Sequence, residues 1–421
     1  MERTFSFQYP LPDFLLTLLG LALFLLDMVL DVKLVVALWQ EGQRDLVAAL
    51  VVLLLGSSGM VQLFSWLWYS YDSQRPQTKV EGCVHSAGLL WLCHILQLGM
   101  FLRYAALLET SLLSFTGGSS DLEGQAVYQT HDLSMLRLFE TFFESAPQLV
   151  LMVLIIIWHE HEQVGLLTVL KAAGSAVSIA WTVAMYHRSL RSFLVEKAKQ
   201  GWGSSALYFL WNLLLIAPRL ASLALFYSAL PLLGPAHFLL LWFPLFLWAW
   251  LQGTAFMDST MGEWLYRAVI GVIWYFSWFN VAEGRTVVRS LIHHGLMAVD
   301  SAILLLVWWR QWDHAMDGLA LEPIVFFVAI PSCYLLGLLL KVAYYRHCHP
   351  SLGQQPQSDT VDFRLLDTRP SLAQSDTETD SAPCTDPLML PQASPSPATD
   401  STPSTIIQNK RMKRLAANFY S

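Results

Sequence analysis

The chain has 421 residues, 55% of them hydrophobic and only 14% charged, with a mean hydropathy of +0.45. Soluble domains carry roughly a quarter charged residues, so this composition excludes an ordinary soluble enzyme and points to a polytopic membrane protein. The net charge of −7 marks no basic nucleic-acid surface, and the five scattered cysteines form no CxxC pair and no disulfide framework.

Ten hydrophobic stretches follow in chain order: 14–38, 46–69, 84–108, 132–158, 164–187, 204–230, 236–256, 264–280, 287–311 and 323–345. Most approach the ~20 residues that a spanning helix needs. The first contains Asp27 and Asp31 and lacks a small-residue cleavage site, so it reads as a signal-anchor span. If all ten crossed from a cytosolic N-terminus, the segment with Arg188, Arg191, Lys197 and Lys199 would lie outside. The positive-inside tendency opposes that arrangement.

Two stretches offer a repair. In 132–158, Arg137, Glu140 and Glu144 share one helix face, after which Pro147 and Gln148 interrupt the run. In 204–230, Asn212, Pro218 and Arg219 interrupt another. If both segments enter and leave on one side, eight spans remain and the basic loop becomes cytosolic. Phe143–Leu149 (FESAPQL) and Leu214–Leu220 (LLIAPRL) share Ala-Pro-x-Leu. The expectation is therefore an all-α bundle of about eight transmembrane helices plus two re-entrant broken helices, arranged as an inverted pseudo-repeat.

Asp27 and Asp31 sit at i and i+4, Arg103 lies deep in the third stretch, and Asp300 lies in the ninth. With Arg137, Glu140, Glu144, Gln148 and Arg219 they form a set of intramembrane polar residues. Each charge costs at least ~2.5 kcal/mol at the bilayer centre on insertion scales, so they should converge on the bundle interior. There they either pair to fix helix packing or line a hydrated groove. Such a groove suits a lipid headgroup, because carboxylates meet choline or amine groups and arginines meet phosphate.

Signals for an enzyme are poor: no GxSxG, HExxH or GxxxxGK[ST] motif occurs, and no cofactor is indicated. No metal site is expected either, since His159–Glu162 and His293-His294 read as interfacial polar residues. Trp66, Trp68, Trp248, Trp250, Trp308, Trp309 and Trp312 read as an aromatic belt near span ends.

Three divisions result: a membrane domain over 1–350, a disordered cytosolic tail over 351–408, and a basic amphipathic peptide over 409–421. In the tail, Asp359-Thr360-Val361-Asp362 fits a DxxD caspase site, with Asp380 a secondary candidate. The peptide carries Lys410, Arg411, Lys413 and Arg414 ahead of Phe419, so it suits an anionic leaflet or the protein's own cytosolic face.

SMLRLFETFFESAPQLVL (134–151), LFSWLW (63–68), YFLWNLLL (208–215), WLQGT (250–254), EWLYR (263–267) and YFSWFNVAEGRT (275–286) resemble, in order, the XK-related membrane proteins. The resemblance runs from about Asp13 to Pro350. It implies a phospholipid scramblase of the plasma membrane that exposes phosphatidylserine on apoptotic cells, and the eight-span topology puts both termini in the cytosol. It further implies activation by executioner caspases cutting after Asp362, release of an inhibitory tail, and a single-span immunoglobulin-superfamily partner, basigin or neuroplastin. The alternatives are a non-transporting membrane adaptor, in which the charges are packing pairs, and an ion channel or solute transporter.

Overall fold

A computed structural model describes residues 9–71, 78–86, 88–117, 120–158, 166–193, 199–281, 286–315 and 323–348. The described residues form helices and connecting turns with no strand, as the all-α expectation requires. The proposed tail cleavage sites and the basic peptide 409–421 lie outside them, as do His159–Glu162.

Helix α1 (Leu11–Gln40) runs from the face at Tyr9 to the opposite face, and α2 (Arg44–Tyr71) returns after the turn at Gly42, which takes a φ of +77°. Next comes a hairpin of short helices: α3 (Lys79–Ser86), α4 (Leu90–Ile95) and α5 (Gly99–Gly117). Its base is clasped by Glu109, whose carboxylate accepts from the Lys79 and Val80 amides at 2.9 and 3.0 Å. Its tip is tied to α2: the Gly99 amide donates to Gln62 Oε1 at 2.9 Å, and His94 Nε2 lies 3.0 Å from Ser65 Oγ. About 14 Å of helix separates Gln62 from Tyr71 at ~1.5 Å per residue, so the hairpin reaches only about halfway through a ~30 Å hydrocarbon core.

The next helices are α6 (Ser120–Glu140), a π-helical turn (Thr141–Ser145) and α7 (Ala146–Trp158). Together they make one apolar 38-residue path, Asp121–Trp158, long enough to cross the membrane. This corrects the expectation that 132–158 re-enters. Pro147 lacks an amide hydrogen and leaves a carbonyl unmet in the preceding turn; the wide turn absorbs that defect without reversing the chain. Pro218 likewise sits inside an unbroken helix, α9 (Trp202–Ala229), so 204–230 also crosses rather than re-enters.

Helix α8 (Leu166–Phe193) is less apolar, yet its ion pairs fix its path. Lys171 meets Asp27 and Asp31 while Arg188 meets Asp13, so α8 lies antiparallel to α1 over about 26 Å of rise. Beyond α9, α10 (Gly234–Leu251) returns to the starting face and α11 (Thr260–Phe276) rises against it, with Trp242 Nε1 donating to the Ala268 carbonyl at 3.1 Å. Ser259 starts α11 by capping the Gly262 amide and also contacts the Tyr71 hydroxyl at 2.5 Å, which places this start beside the end of α2. After Phe276 the chain turns back in extended form, and the Phe279 ring reaches Tyr186 of α8. Finally α12 (Thr286–Ala315) and α13 (Pro323–Ala343) form an antiparallel pair, joined by Lys341–Ser290 near one end and Trp308–Phe326 near the other.

Among the described residues, the seven long apolar helices and the ion-paired α8 fit eight crossings, and the two half-inserted segments are 79–117 and 260–281. The order is out, back, dip, out, back, and then the same again. Both dips leave from the face where α1 begins, so the halves repeat in the same sense. The inverted pseudo-repeat is corrected accordingly: Ala-Pro-x-Leu recurs in α7 and α9, which are not equivalent positions. Helices α13 and α9 pack closely, and a Cβ on Gly337 would sit 3.0 Å from the Leu214 backbone carbonyl carbon.

Candidate functional site

The intramembrane charges separate into distinct groups. In the first half, Asp27 and Asp31 are one turn apart on α1 because they are spaced by four. Lys171 of α8 reaches across to both, with Nζ 2.5 Å from Asp27 Oδ1 and 2.8 Å from Asp31 Oδ1. Gln148 Nε2 of α7 donates to the same Asp31 oxygen at 2.5 Å. Arg137 and Glu140 pair along α6, and the Arg137 guanidinium lies over the Phe24 ring at 4.8 Å. Glu144, in the π-helical turn, faces this group: carboxylate oxygens of Asp27, Asp31 and Glu144 lie within 4.8 Å of one another. Two cations thus confront four carboxyls, with the Lys171 ammonium shared by Asp27 and Asp31.

Toward the face where α1 begins, a cavity of about 110 Å³ opens between α1, α6 and α8. Asp13, Arg188 and Arg137 line it, together with hydroxyls such as Thr17, Ser134 and Thr182. Arg188 donates to Asp13 at 2.9 Å and to the Gln200 carbonyl at 2.9 Å. Polar groups therefore continue from Asp13–Arg188 past Arg137–Glu140 to Lys171 and Glu144, while the outer surface of α1 stays apolar and exposed.

Arg103 belongs to a separate group. From α5 it donates to Ser65 Oγ and to the Ser65 carbonyl at 2.8 and 3.0 Å, approaches Asp132 at 3.4 Å, and lies 4.3 Å from the Tyr69 ring centre. It holds the first dip against α2. Arg219 and Asp300 form a third group in the second half, paired at 2.5 Å. His237 Nε2 lies 3.1 Å from the other Asp300 oxygen, and Arg219 Nε donates to the Tyr275 carbonyl at 3.2 Å, which secures the tip of α11. The expected charges are thus all inside the bundle, with Asp27, Asp31, Arg137, Glu140, Glu144 and Gln148 in one group, Arg219 and Asp300 in another and Arg103 apart from both.

Sequence reasoning passed over Lys171, although it is the lone charge in an otherwise apolar run from Leu166 to Tyr186 and so obeyed the rule that singled out Asp27. Asp13–Arg188 and His237 were also missed, since pairing across 175 residues leaves no local pattern. Two other expectations are corrected. His293 and His294 are buried rather than interfacial, and Trp68 and Trp308 are core residues rather than belt residues, whereas Trp66, Trp250 and Trp309 do remain exposed.

Residues 15–350 match the profile of a family described as XK-related protein. The chain belongs to the XK-related family. It is 44% identical over 428 residues to XK-related protein 8 of Gasterosteus aculeatus, covering 99% of this chain and 98% of that one. XK-related protein 8 of Tetraodon nigroviridis is 41% identical over 437 residues, with coverage of 100% and 99%. XK-related protein 8 of Pan troglodytes is 41% identical over 360 residues, covering 84% and 88%. In this XK-related chain the matched region includes all three charge groups except Asp13, which precedes it by two positions.

Proposed function

We propose that this XK-related protein is a phospholipid scramblase in which headgroups pass along the polar residues of the first half while acyl chains stay in the bilayer. One observation carries the reading: buried polar groups extend from the 110 Å³ cavity at Asp13–Arg188 to the acidic group at Asp27, Asp31 and Glu144. Its alternating signs suit a phosphate followed by an amine or choline, and its carboxyl excess favours a cationic headgroup deep in the membrane. Downhill exchange needs no nucleotide.

In the same proposal the protein sits in the plasma membrane with both termini cytosolic. Executioner caspases cut after Asp362, which frees the bundle from the basic peptide at Lys410–Arg414 and exposes phosphatidylserine. A single-span immunoglobulin-superfamily protein, basigin or neuroplastin, accompanies it to the surface. The deciding experiment is fluorescent-lipid scrambling in liposomes, comparing the full chain with the chain cut after Asp362. Scrambling by the cut form alone supports both transport and its switch. If neither form moves lipid with the partner present, the ion pairs serve packing and the adaptor reading replaces this one.

A further inference from the structure

The second half contains a small cavity of about 10 Å³ between α9, the tip of α11, α12 and α13. Three almost fully buried residues around it each retain a nitrogen without a partner: Trp211 Nε1, Arg219 Nη2 and His293 Nδ1. Indole and guanidinium nitrogens only donate. His293 Nε2 lies 2.6 Å from the Trp274 carbonyl, so it carries the hydrogen, and Nδ1 presents a lone pair. The cavity is therefore bordered by two unmet donors and one unmet acceptor.

That combination selects the occupant. An anion accepts from Trp211 and Arg219 but meets the lone pair of His293; a cation satisfies His293 but meets the positive edge of the other two. A molecule that both accepts and donates satisfies all three. The volume is about that of one water-sized sphere, the minimum that holds a water, and three polar partners match the usual coordination of a buried one. We infer that this cavity is a binding site for a single water molecule, accepting from Trp211 and Arg219 and donating to His293.

The site lies between two hydrogen-bond networks. On one side Arg219 leads to Asp300, His237, Tyr275 and Tyr227. On the other, Lys341 Nζ donates to His294 Nε2 at 2.7 Å, His294 Nδ1 meets the Tyr334 hydroxyl at 3.2 Å, and that hydroxyl donates to the His294 carbonyl at 3.1 Å. His294 and Tyr334 line the same cavity as Arg219. The second-half helices α9, α12 and α13 correspond by position to α1, α6–α7 and α8, which surround the open cavity of the first half. The inference stands whether or not the protein moves lipid.

The test uses the full chain in nanodiscs. Radiolytic hydroxyl-radical footprinting read by mass spectrometry labels buried side chains that touch bound water. Trp211 and Met297, which line the cavity, are the reporters; Tyr266 and Phe139, buried elsewhere, are the dry controls. The reporters are expected to label well above the controls, and labelling at the control rate overturns the inference. A cryo-EM map that resolves ordered water gives an independent readout. One peak within hydrogen-bond reach of all three nitrogens supports the site, whereas no peak, or a peak that changes when chloride is exchanged for bromide, refutes a water.

Discussion

Lys171→Met removes the one ammonium shared by Asp27 and Asp31. At separations of 2.5 and 2.8 Å, each attraction is worth about 6 kcal/mol at an effective dielectric of ~20. The burial cost already paid by Lys171 offsets much of that sum, and breaking a buried pair from one side typically costs about 3–5 kcal/mol. The variant should therefore lose about 3–5 kcal/mol of unfolding free energy, measured by SDS titration in bicelles. Adding Asp31→Asn leaves an amide oxygen for the Gln148 donor and removes one of the two stranded carboxylates, so the double variant should recover a large part of the loss. Lys171→Arg should retain more than Lys171→Met because it keeps the charge. A Lys171→Met protein within about 1 kcal/mol of the wild type would falsify the claim that this ammonium neutralises the pair, because surface-type ion pairs contribute only that much.

Three further outcomes are expected. Burial pushes the Glu109 carboxyl up, but the Val80 and Lys79 amides and the Lys79 charge outweigh it and hold the carboxyl below its ordinary value of 4.5. Its stabilisation is thus present above about pH 4.5 and lost as the pH falls through the lower folded value. Glu109→Gln should weaken the base of the first dip by about 0.5–2 kcal/mol, as lost helix caps do, and should flatten that acid dependence in hydrogen exchange of residues 79–86. Gly337→Val should force α13 away from the Leu214 backbone and lower thermal stability in detergent more than Gly295→Val, whose Cβ has open space; equal melting points would refute the close-packing argument. Asp362→Ala should abolish caspase-dependent lipid exposure in cells, and continued exposure would count against the cleavage site unless Asp380→Ala then removes it.

The helical membrane architecture was legible because apolar runs of the right length admit few alternatives, and the basic loop after His187 was the reason to expect that two of ten segments fail to cross. Which two was not legible. Prolines looked like the breaks, yet a π-helical turn absorbs Pro147, and Pro218 fits within α9. The real dips end in subtler features: the Gly99 amide taken by a Gln62 side chain, and the extended chain after Phe276. These depend on contacts from other helices, which local spacing does not encode. The acidic residues of the site were found by their cost in lipid, and Lys171 fell under the same rule. Only their grouping, with Arg103 and Arg219 assigned elsewhere, required the fold.

Both dips leaving from one face has a consequence for any cargo. Turning the molecule over does not reproduce it, so the two leaflets meet different doorways. Inverted repeats can exchange an inward-open shape for an outward-open one by swapping the conformations of their halves; repeats in the same sense have no such partner shape to trade. A lipid path of the kind proposed is then lopsided, with both half-inserted hairpins on one side of the bundle and spanning helices alone on the other.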